Sequence, residues 1–301
     1  MSGDLDGRRL SPPQMSSPDG AAEQDGRGPI PPLDTAGDDA MTPELITEVI
    51  TRAAAAAPRS RQVELGPSEA GEPCTRRLAY KLLDWDRPGR AMDRWAPVQG
   101  VAVHAWLAEA FRAENERLGR DRYLIERRVQ PLTDEQARQA GLPGGLAGSC
   151  DLFDRDQGLV TDWKHVGTTR LAKYTAEGPG QQYRTQAHLY GRGMAAAGED
   201  VRDVAVVFLP RASSLTGIHV WREPYDPAVA AAAVARLTAI RDAVIALDPE
   251  RYPGRWGLFP TAPQSCRFCP WLKPGSRHLA TGCPGHLDAA SSAAPIESLI
   301  A

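Results

Sequence analysis

The chain has 301 residues, of which 42% are hydrophobic and 24% charged, and its formal net charge is −3. This is an ordinary soluble composition, sufficient for one large domain or two small ones. Apolar runs such as 53–57 and 228–234 are too short and alanine-rich to span a bilayer, and no apolar segment of a secretory signal follows the N-terminus. We therefore expect a cytoplasmic protein with no membrane partner.

The negative charge is concentrated at the N-terminus. Residues 1–40 hold eight acidic residues and three arginines, a net charge of −5, so residues 41–301 carry +2. The segment 1–40 is also rich in Pro, Gly, Asp and Ser and lacks hydrophobic periodicity, which predicts a disordered acidic tail. Residues 288–301 are expected to form a second disordered tail.

Periodicity, capping residues and turn signals predict a mixed α/β protein. Helices are predicted over residues 43–57, 75–83, 97–118, 179–197 and 226–247, with a short helical turn after Thr133. Strands are predicted over residues 122–130, 146–154, 159–166, 201–209 and 217–223. The order is a helix, three strands, a helix and a strand, which indicates a central mixed sheet flanked by helices.

The C-terminal part differs in composition from this core. Residues 251–286 are rich in Pro, Gly, Trp and Cys and have no periodicity, so they need something other than a hydrophobic core to hold them. We therefore divide the chain into an N-terminal helical segment (41–93), a core (94–248) and a cysteine-rich segment (249–287). The odd count of five cysteines favours a reducing compartment and metal ligation over disulfides.

Two carboxylates and a lysine fall on neighbouring strands of the predicted hairpin. Asp151 lies in the second strand, and Asp162 and Lys164, two residues apart on the third strand, point to the same face. Two carboxylates facing one point can hold Mg²⁺ or Mn²⁺, and a lysine beside them can orient a water or balance charge on a phosphate. The alternative is a solvated face with a surface ion pair.

Two predicted helices carry further candidate residues. His104 lies on the helix before the sheet, from which it could reach the carboxylates as a nitrogen ligand, although a lone histidine can equally be structural. Tyr183, Gln186 and Tyr190, spaced three and four residues apart, share a helix face. They could bind a DNA phosphate or pack against the lysine; the alternative is an amphipathic helix with half-buried tyrosines.

Four of the five cysteines suit a metal site. Cys266 and Cys269 form a C-x₂-C pair, Cys283 follows them, and Cys74 lies far upstream. Four thiolates suit either an iron–sulfur cluster or a structural zinc, while buried thiols without metal are the alternative. Cys150, beside Asp151, is expected to be a small buried strand residue.

Together these residues resemble the RecB-type branch of the PD-(D/E)XK nuclease superfamily, and more narrowly its CRISPR-associated and phage-encoded iron–sulfur exonucleases. The motifs that match are Gly-x-x-x-His at His104, Gly-x-x-Asp at Asp151, (D/E)-x-K at Asp162 and Lys164, Gln-x-x-x-Tyr at Gln186 and Tyr190, and four cluster cysteines at Cys74, Cys266, Cys269 and Cys283. The gap between Cys269 and Cys283 is longer than the family pattern. No phosphate-binding G-x-x-x-x-G-K-[ST] motif is present in the sequence.

The resemblance implies a restriction-endonuclease-like αβββαβ core and a metal-dependent deoxyribonuclease acting on DNA ends. It further implies 5′→3′ exonuclease activity on single strands, in DNA repair, recombination, phage or CRISPR-related processing. Asp151, Asp162, His104 and the Trp163 carbonyl would hold one or two Mg²⁺ or Mn²⁺ ions. Lys164 would orient the attacking water, and Gln186 and Tyr190 would position Lys164 and the substrate.

The partner implied is DNA that is single-stranded or has free ends. A cluster of cations near the first cluster cysteine, Arg76, Arg77 and Lys81, is expected to contact the incoming DNA backbone. Three rival interpretations stay open: a non-catalytic DNA-binding module with a structural zinc, an accessory subunit of a recombination or CRISPR-adaptation complex, and a restriction-type endonuclease.

Overall fold

A computed structural model describes residues 42–56, 64–88, 93 and 95–285. The two expected disordered tails, residues 1–40 and 288–301, lie outside the described residues. The α-helices are α1 (Pro43–Ala56), α2 (Pro67–Ala70), α3 (Thr75–Leu82), α4 (Trp95–Leu118), α5 (Asp134–Ala140), α6 (Thr168–Glu177), α7 (Gly180–Ala196), α8 (Pro227–Leu247) and α9 (Pro263–Cys266). The strands are β1 (Tyr123–Val129), β2 (Gly148–Asp154), β3 (Leu159–Val166), β4 (Asp203–Pro210) and β5 (His219–Pro224).

The five strands form one sheet in the order β1-β2-β3-β4-β5. Neighbouring strands are antiparallel except β3 and β4, which run parallel and are joined through α6 and α7. A parallel pair needs such a crossover because its two strands begin at the same end of the sheet. The predicted mixed α/β architecture, with a central mixed sheet flanked by helices, is confirmed.

The predicted elements agree with the structure wherever local signals are strong. Strand β3 has the predicted bounds, and the other four strands begin and end within two residues of theirs. The turn before β3 contains Gly158 at φ +57, a left-handed conformation that favours glycine. Helix α5 begins with a reciprocal capping box between Thr133 and Gln136. Helix α6 was not predicted, and none of its side chains is fully buried.

The described residues bury two hydrophobic clusters. One joins α3 and α8 to the C-terminal segment, around Tyr80 and Trp256. The other lies between the sheet and α7, around Met194 and Phe208. The second cluster fixes α7 on the sheet, which places the polar side chains of that helix above β3. None of the described helices is both long and apolar enough to cross a membrane.

The C-terminal segment is held to α3 and the residues after it by side-chain hydrogen bonds. The Tyr80 hydroxyl donates to the Leu279 carbonyl at 2.6 Å, and the Trp85 indole donates to the Ala280 carbonyl at 2.8 Å. The Trp271 indole donates back to the Trp85 carbonyl at 3.0 Å. Trp271 of this aperiodic segment thus serves both as apolar core and as a hydrogen-bond donor.

Candidate metal centre

The site lies where β2 and β3 separate. Their ladder covers only Leu152 to Asp154, whereas β3 stays paired with β4 along its whole length. Where the ladder ends, Asp151 Oδ2 accepts the Trp163 backbone N–H at 2.8 Å. A side-chain carboxylate therefore takes the place of the missing cross-strand carbonyl, and the sheet itself fixes the orientation of the buried Asp151 side chain.

His104 reaches this point from α4. Its Nδ1 lies 3.3 Å from Asp151 Oδ1, and its Nε2 lies 3.1 Å from the Trp163 carbonyl oxygen. Both partners are acceptors, which suits a ring protonated on both nitrogens. Burial lowers the pKa of His104, but the hydrogen bond and charge of Asp151, together with the charge of Asp162, outweigh it and leave the pKa raised. A proton on His104 therefore lies between groups that a metal ion would also use as ligands.

Glu126, on β1, is a site residue that sequence reasoning missed. Its neighbours Ile125 and Arg127 pair with Leu152 and Cys150, so Glu126 stands opposite Asp151. Its Oε1 lies 4.0 Å from His104 Nδ1. Its φ of +49 is strained for a non-glycine residue inside a strand. Nothing in the local sequence marks this glutamate; only the pairing of β1 with β2 could have pointed to it.

The ligand atoms of His104, Glu126 and Asp151 all lie within 4.8 Å of one another. Asp162 is not part of that group. Its Oδ1 accepts a hydrogen bond from Gln186 Nε2 at 2.8 Å, and its buried Oδ2 lies 2.6 Å from Lys164 Nζ as an ion pair without hydrogen-bond geometry. Burial raises the pKa of Asp162, opposed by the Lys164 charge and supported by the Asp151 charge.

Helix α7 supplies the other wall of the site. The Tyr183 ring centroid lies 4.8 Å from Lys164 Nζ, so the ammonium rests on an aromatic face. Gln186 also approaches the Tyr190 hydroxyl at 3.5 Å, at the limit of a hydrogen bond. Burial, reinforced by the charges of Asp162 and Asp151, raises the pKa of Tyr190, so its phenol is neutral at ordinary pH.

The predicted catalytic and metal residues therefore converge. His104, Asp151 and the Trp163 carbonyl meet on one side, and Asp162, Lys164 and Gln186 meet on the other, with Tyr190 next to Gln186. Their catalytic and metal-binding roles stay predictions.

The basic cluster expected to contact DNA is engaged within the protein instead. Arg77 Nη1 lies 2.8 Å from the buried Glu72, and Lys81 Nζ lies 3.4 Å from Glu69. Arg76 donates to the Trp256 carbonyl at 3.0 Å and to the Cys283 sulfur at 3.4 Å. These three cations contact groups within the protein, so the structure does not support the expectation that they bind the DNA backbone.

No protein-family model matches the chain, and no curated protein matches its sequence. Among solved structures, LHK-Exo in complex with dAMP is similar with a TM-score of 0.42 and 15% identity, over 66% of this chain and 95% of that one. A phage-related exonuclease from Haemophilus somnus 129PT is similar with a TM-score of 0.38 and 10% identity, over 61% and 95%. Similarities this low do not indicate a function, so any function has to be inferred from the geometry of the site itself.

The four predicted cluster cysteines line one small cavity. Cys74, Cys266, Cys269 and Cys283 share it with Arg76, Arg77 and Tyr80. No three of their sulfurs lie within 4.8 Å of one another. All are free thiols, and burial raises the pKa of Cys74 and raises the pKa of Cys269 to about 11. Cys150 is fully buried on β2 and does not line this cavity.

Proposed function

We propose that this chain is a divalent-metal-dependent deoxyribonuclease that hydrolyses phosphodiester bonds at DNA ends. One observation supports the proposal above all. Where β2 and β3 separate, the His104 imidazole and the buried Asp151 carboxylate lie beside a second buried carboxylate, Asp162, which holds Lys164. A surface ion pair, the alternative interpretation, does not require Asp162 to be 1% exposed or Asp151 to be bound to the backbone of β3.

The donor set fits a hard divalent cation. Carboxylate oxygens with one imidazole suit Mn²⁺ and Mg²⁺, and the buried Asp162 Oδ2 has no hydrogen-bond partner among the described residues. We propose His104, Asp151, Asp162 and the Trp163 carbonyl as ligands, with Glu126 as a further carboxylate. When bound, the cation would polarise the scissile phosphate and lower the pKa of a water.

The chain's own residues supply the remaining chemistry. Lys164 is held between the Asp162 carboxylate and the Tyr183 ring, where its ammonium can stabilise negative charge on a phosphate oxygen. Gln186 fixes the Asp162 carboxylate through Oδ1, while Oδ2 lies against the Lys164 ammonium. The neutral phenol of Tyr190 can donate a hydrogen bond to substrate.

The finer substrate assignment follows the resemblance of the motifs. We propose single-stranded DNA, 5′→3′ polarity and a cytoplasmic role in DNA repair, recombination, phage or CRISPR-related processing, with partner proteins from such a pathway. The free cysteines accord with a reducing compartment.

We propose further that Cys74, Cys266, Cys269 and Cys283 hold a [4Fe–4S] cluster that joins residues 41–93 and 249–287 beside the core, 94–248. Four thiols that line one cavity suit such a cluster, and a structural zinc held by the same thiolates is the alternative. The Arg76 guanidinium beside Cys283 would balance thiolate charge.

The direct test is cleavage of 5′- and 3′-labelled single-stranded DNA with Mn²⁺ or Mg²⁺, using anaerobically purified protein. We expect cleavage by the wild type and by Lys273→Ala, a matched lysine substitution outside the site, and none by Lys164→Ala. The label released first sets the polarity, and uncut circular single strands separate an exonuclease from a restriction-type endonuclease. Full cleavage by Lys164→Ala would refute the site, and no cleavage by metal-replete wild type would favour an accessory or DNA-binding role.

A further inference from the structure

An exposed aromatic ring lies between two arginines on the loop that joins two of the cavity cysteines. Phe268 is 48% exposed, although its side chain is wholly apolar. The guanidinium carbon of Arg170, on α6, lies 5.1 Å from the ring centroid, and that of Arg267 lies 5.6 Å from it. Both distances fall within the range of a cation–π contact.

The loop that carries Phe268 is fixed. The Cys269 N–H donates to the Cys266 carbonyl at 3.0 Å, and the Leu272 N–H donates to the Cys269 carbonyl at 3.1 Å. Cys269 and Trp271 on either side of this turn are buried. The ring is therefore displayed on a firmly held turn, and ordering it on contact with a ligand costs little conformational entropy.

Helix α6 connects this ring to the metal centre. Arg170 lies one turn before Tyr174, whose ring stacks on Phe208 at 4.6 Å. Phe208 is the β4 residue that pairs with Lys164. The Tyr174 ring also meets Tyr183 edge-on at 5.6 Å, and Tyr183 lies under the Lys164 ammonium. A continuous row of contacts thus runs from Phe268 to the proposed catalytic lysine.

An exposed aromatic face flanked by guanidinium groups suits a nucleic-acid strand whose bases are unpaired. Any base can stack on the ring, because stacking needs only the base's π face, and the arginines can bind the phosphates on either side. A paired duplex already stacks its bases internally and could not offer one to the ring without opening.

We propose that Phe268, flanked by Arg170 and Arg267, is a base-stacking platform for single-stranded DNA, connected through α6 to the candidate metal centre. The purpose of this platform depends on the proposed nuclease function, but its test does not, because binding can be measured without cleavage. The chain offers a matched control in Tyr252, which is 42% exposed and flanked by Arg251 at 5.3 Å and Arg255 at 4.1 Å. Both guanidinium neighbours of this tyrosine belong to the C-terminal segment, whereas one neighbour of Phe268 lies on α6.

The experiment measures binding of a fluorescent oligothymidine and of an abasic oligonucleotide of equal length and charge by fluorescence anisotropy. All proteins are full-length and carry Lys164→Ala, so that cleavage does not interfere. We expect Phe268→Ala to weaken oligothymidine binding by roughly 5- to 100-fold, the range of one stacked base, and to leave abasic binding unchanged. Phe268→Trp should retain binding, and Tyr252→Ala should have no effect.

Several outcomes would overturn the proposal. Unchanged binding of oligothymidine by Phe268→Ala would do so, as would equal weakening for both oligonucleotides, which would indicate lost charge or altered folding rather than lost stacking. Equal losses in Phe268→Ala and Tyr252→Ala, or no binding by any variant, would also overturn it. A Phe268-dependent preference for oligothymidine in a protein whose wild type never cleaves DNA would sustain the platform and refute the nuclease.

Discussion

Gln186 holds Asp162 by a single buried hydrogen bond, 2.8 Å from Nε2 to Oδ1, while its own Oε1 is buried without a hydrogen-bond partner among the described residues. The amide therefore donates to a carboxylate on one side and leaves an acceptor unsatisfied on the other. Asp162 is thus held on one oxygen by Gln186 and on the other by Lys164, so its orientation depends in part on one residue of α7.

Gln186→Leu should reduce DNA cleavage roughly 10- to 100-fold, because a buried hydrogen bond to a charged group contributes about 1.5–3 kcal/mol. The loss should fall on turnover rather than on DNA binding, since the amide acts through Asp162. Steady-state cleavage kinetics and the Kd for DNA separate the two. Gln181→Leu, five residues earlier on the same helix, is the control; equal losses in both variants would point to damage of α7 instead.

Glu126→Gln should weaken Mn²⁺ binding roughly tenfold or more, because it removes one carboxylate from the group formed with His104 and Asp151. Isothermal titration of Mn²⁺ into the purified protein measures the change. Glu109→Gln, on the exposed face of α4 and paired with Arg112, should leave the affinity unchanged. Identical Mn²⁺ affinity in the wild type and Glu126→Gln would exclude this glutamate from the centre.

Stabilisation by metal should depend on pH. The pKa values of His104 and Asp162 are raised in the metal-free fold, so protonation of both favours that fold, and this contribution is lost as the pH rises through those raised values. A cation needs both groups deprotonated. The rise in Tm caused by Mn²⁺ should therefore grow from about pH 6 to about pH 8. Differential scanning fluorimetry measures this rise in the wild type and in His104→Gln, in which it should depend less steeply on pH. An equal rise in Tm at every pH in the wild type would contradict the prediction.

Cys266→Ser should lose bound iron, whereas Cys150→Ser should retain it, because only the first of these thiols lines the shared cavity. Iron, sulfide and zinc analysis of anaerobically purified variants gives the result. Zinc instead of iron in the wild type would indicate a structural metal ion rather than a cluster. Equal iron content in both variants would exclude Cys266 from the ligand set.

Glu72→Ala should lower the free energy of unfolding by about 3–5 kcal/mol, the usual cost of removing one partner from a buried ion pair. The Glu72 side chain pairs with Arg77, accepts the Cys74 N–H at 3.0 Å and accepts the Ser265 hydroxyl, so it connects both cysteine-bearing parts of the chain. Urea unfolding measures the loss. Glu135→Ala, which removes an exposed partner of Arg138, should leave the free energy of unfolding nearly unchanged.

The strands, the α7 face and the placement of Asp151 and Asp162 on neighbouring strands could be predicted from the sequence because each depends on local signals. Turn residues set the β2–β3 hairpin, and helical spacing aligns Gln186 with Tyr190. Glu126 could not be predicted, since its place depends on the register between two strands separated by α5. The ion pair between Arg77 and Glu72 could not be predicted for a similar reason, because sequence spacing does not reveal that Glu72 is buried beside Arg77.

The turn at Gly158 limits the insertions that this protein can tolerate far from the candidate metal centre. Its carbonyl accepts N–H groups of both Arg202 and Asp203, so it ties the hairpin to the start of β4. β4 fixes β3 over eight residues, and the length of the turn then decides which β2 residue faces Asp162. One inserted residue would turn Asp151 to the opposite face of the sheet, and two would displace it by about 6.6–6.8 Å. Loop length, ordinarily the most freely varied property of a hairpin, is here constrained by the proposed metal centre at the other end of its strands.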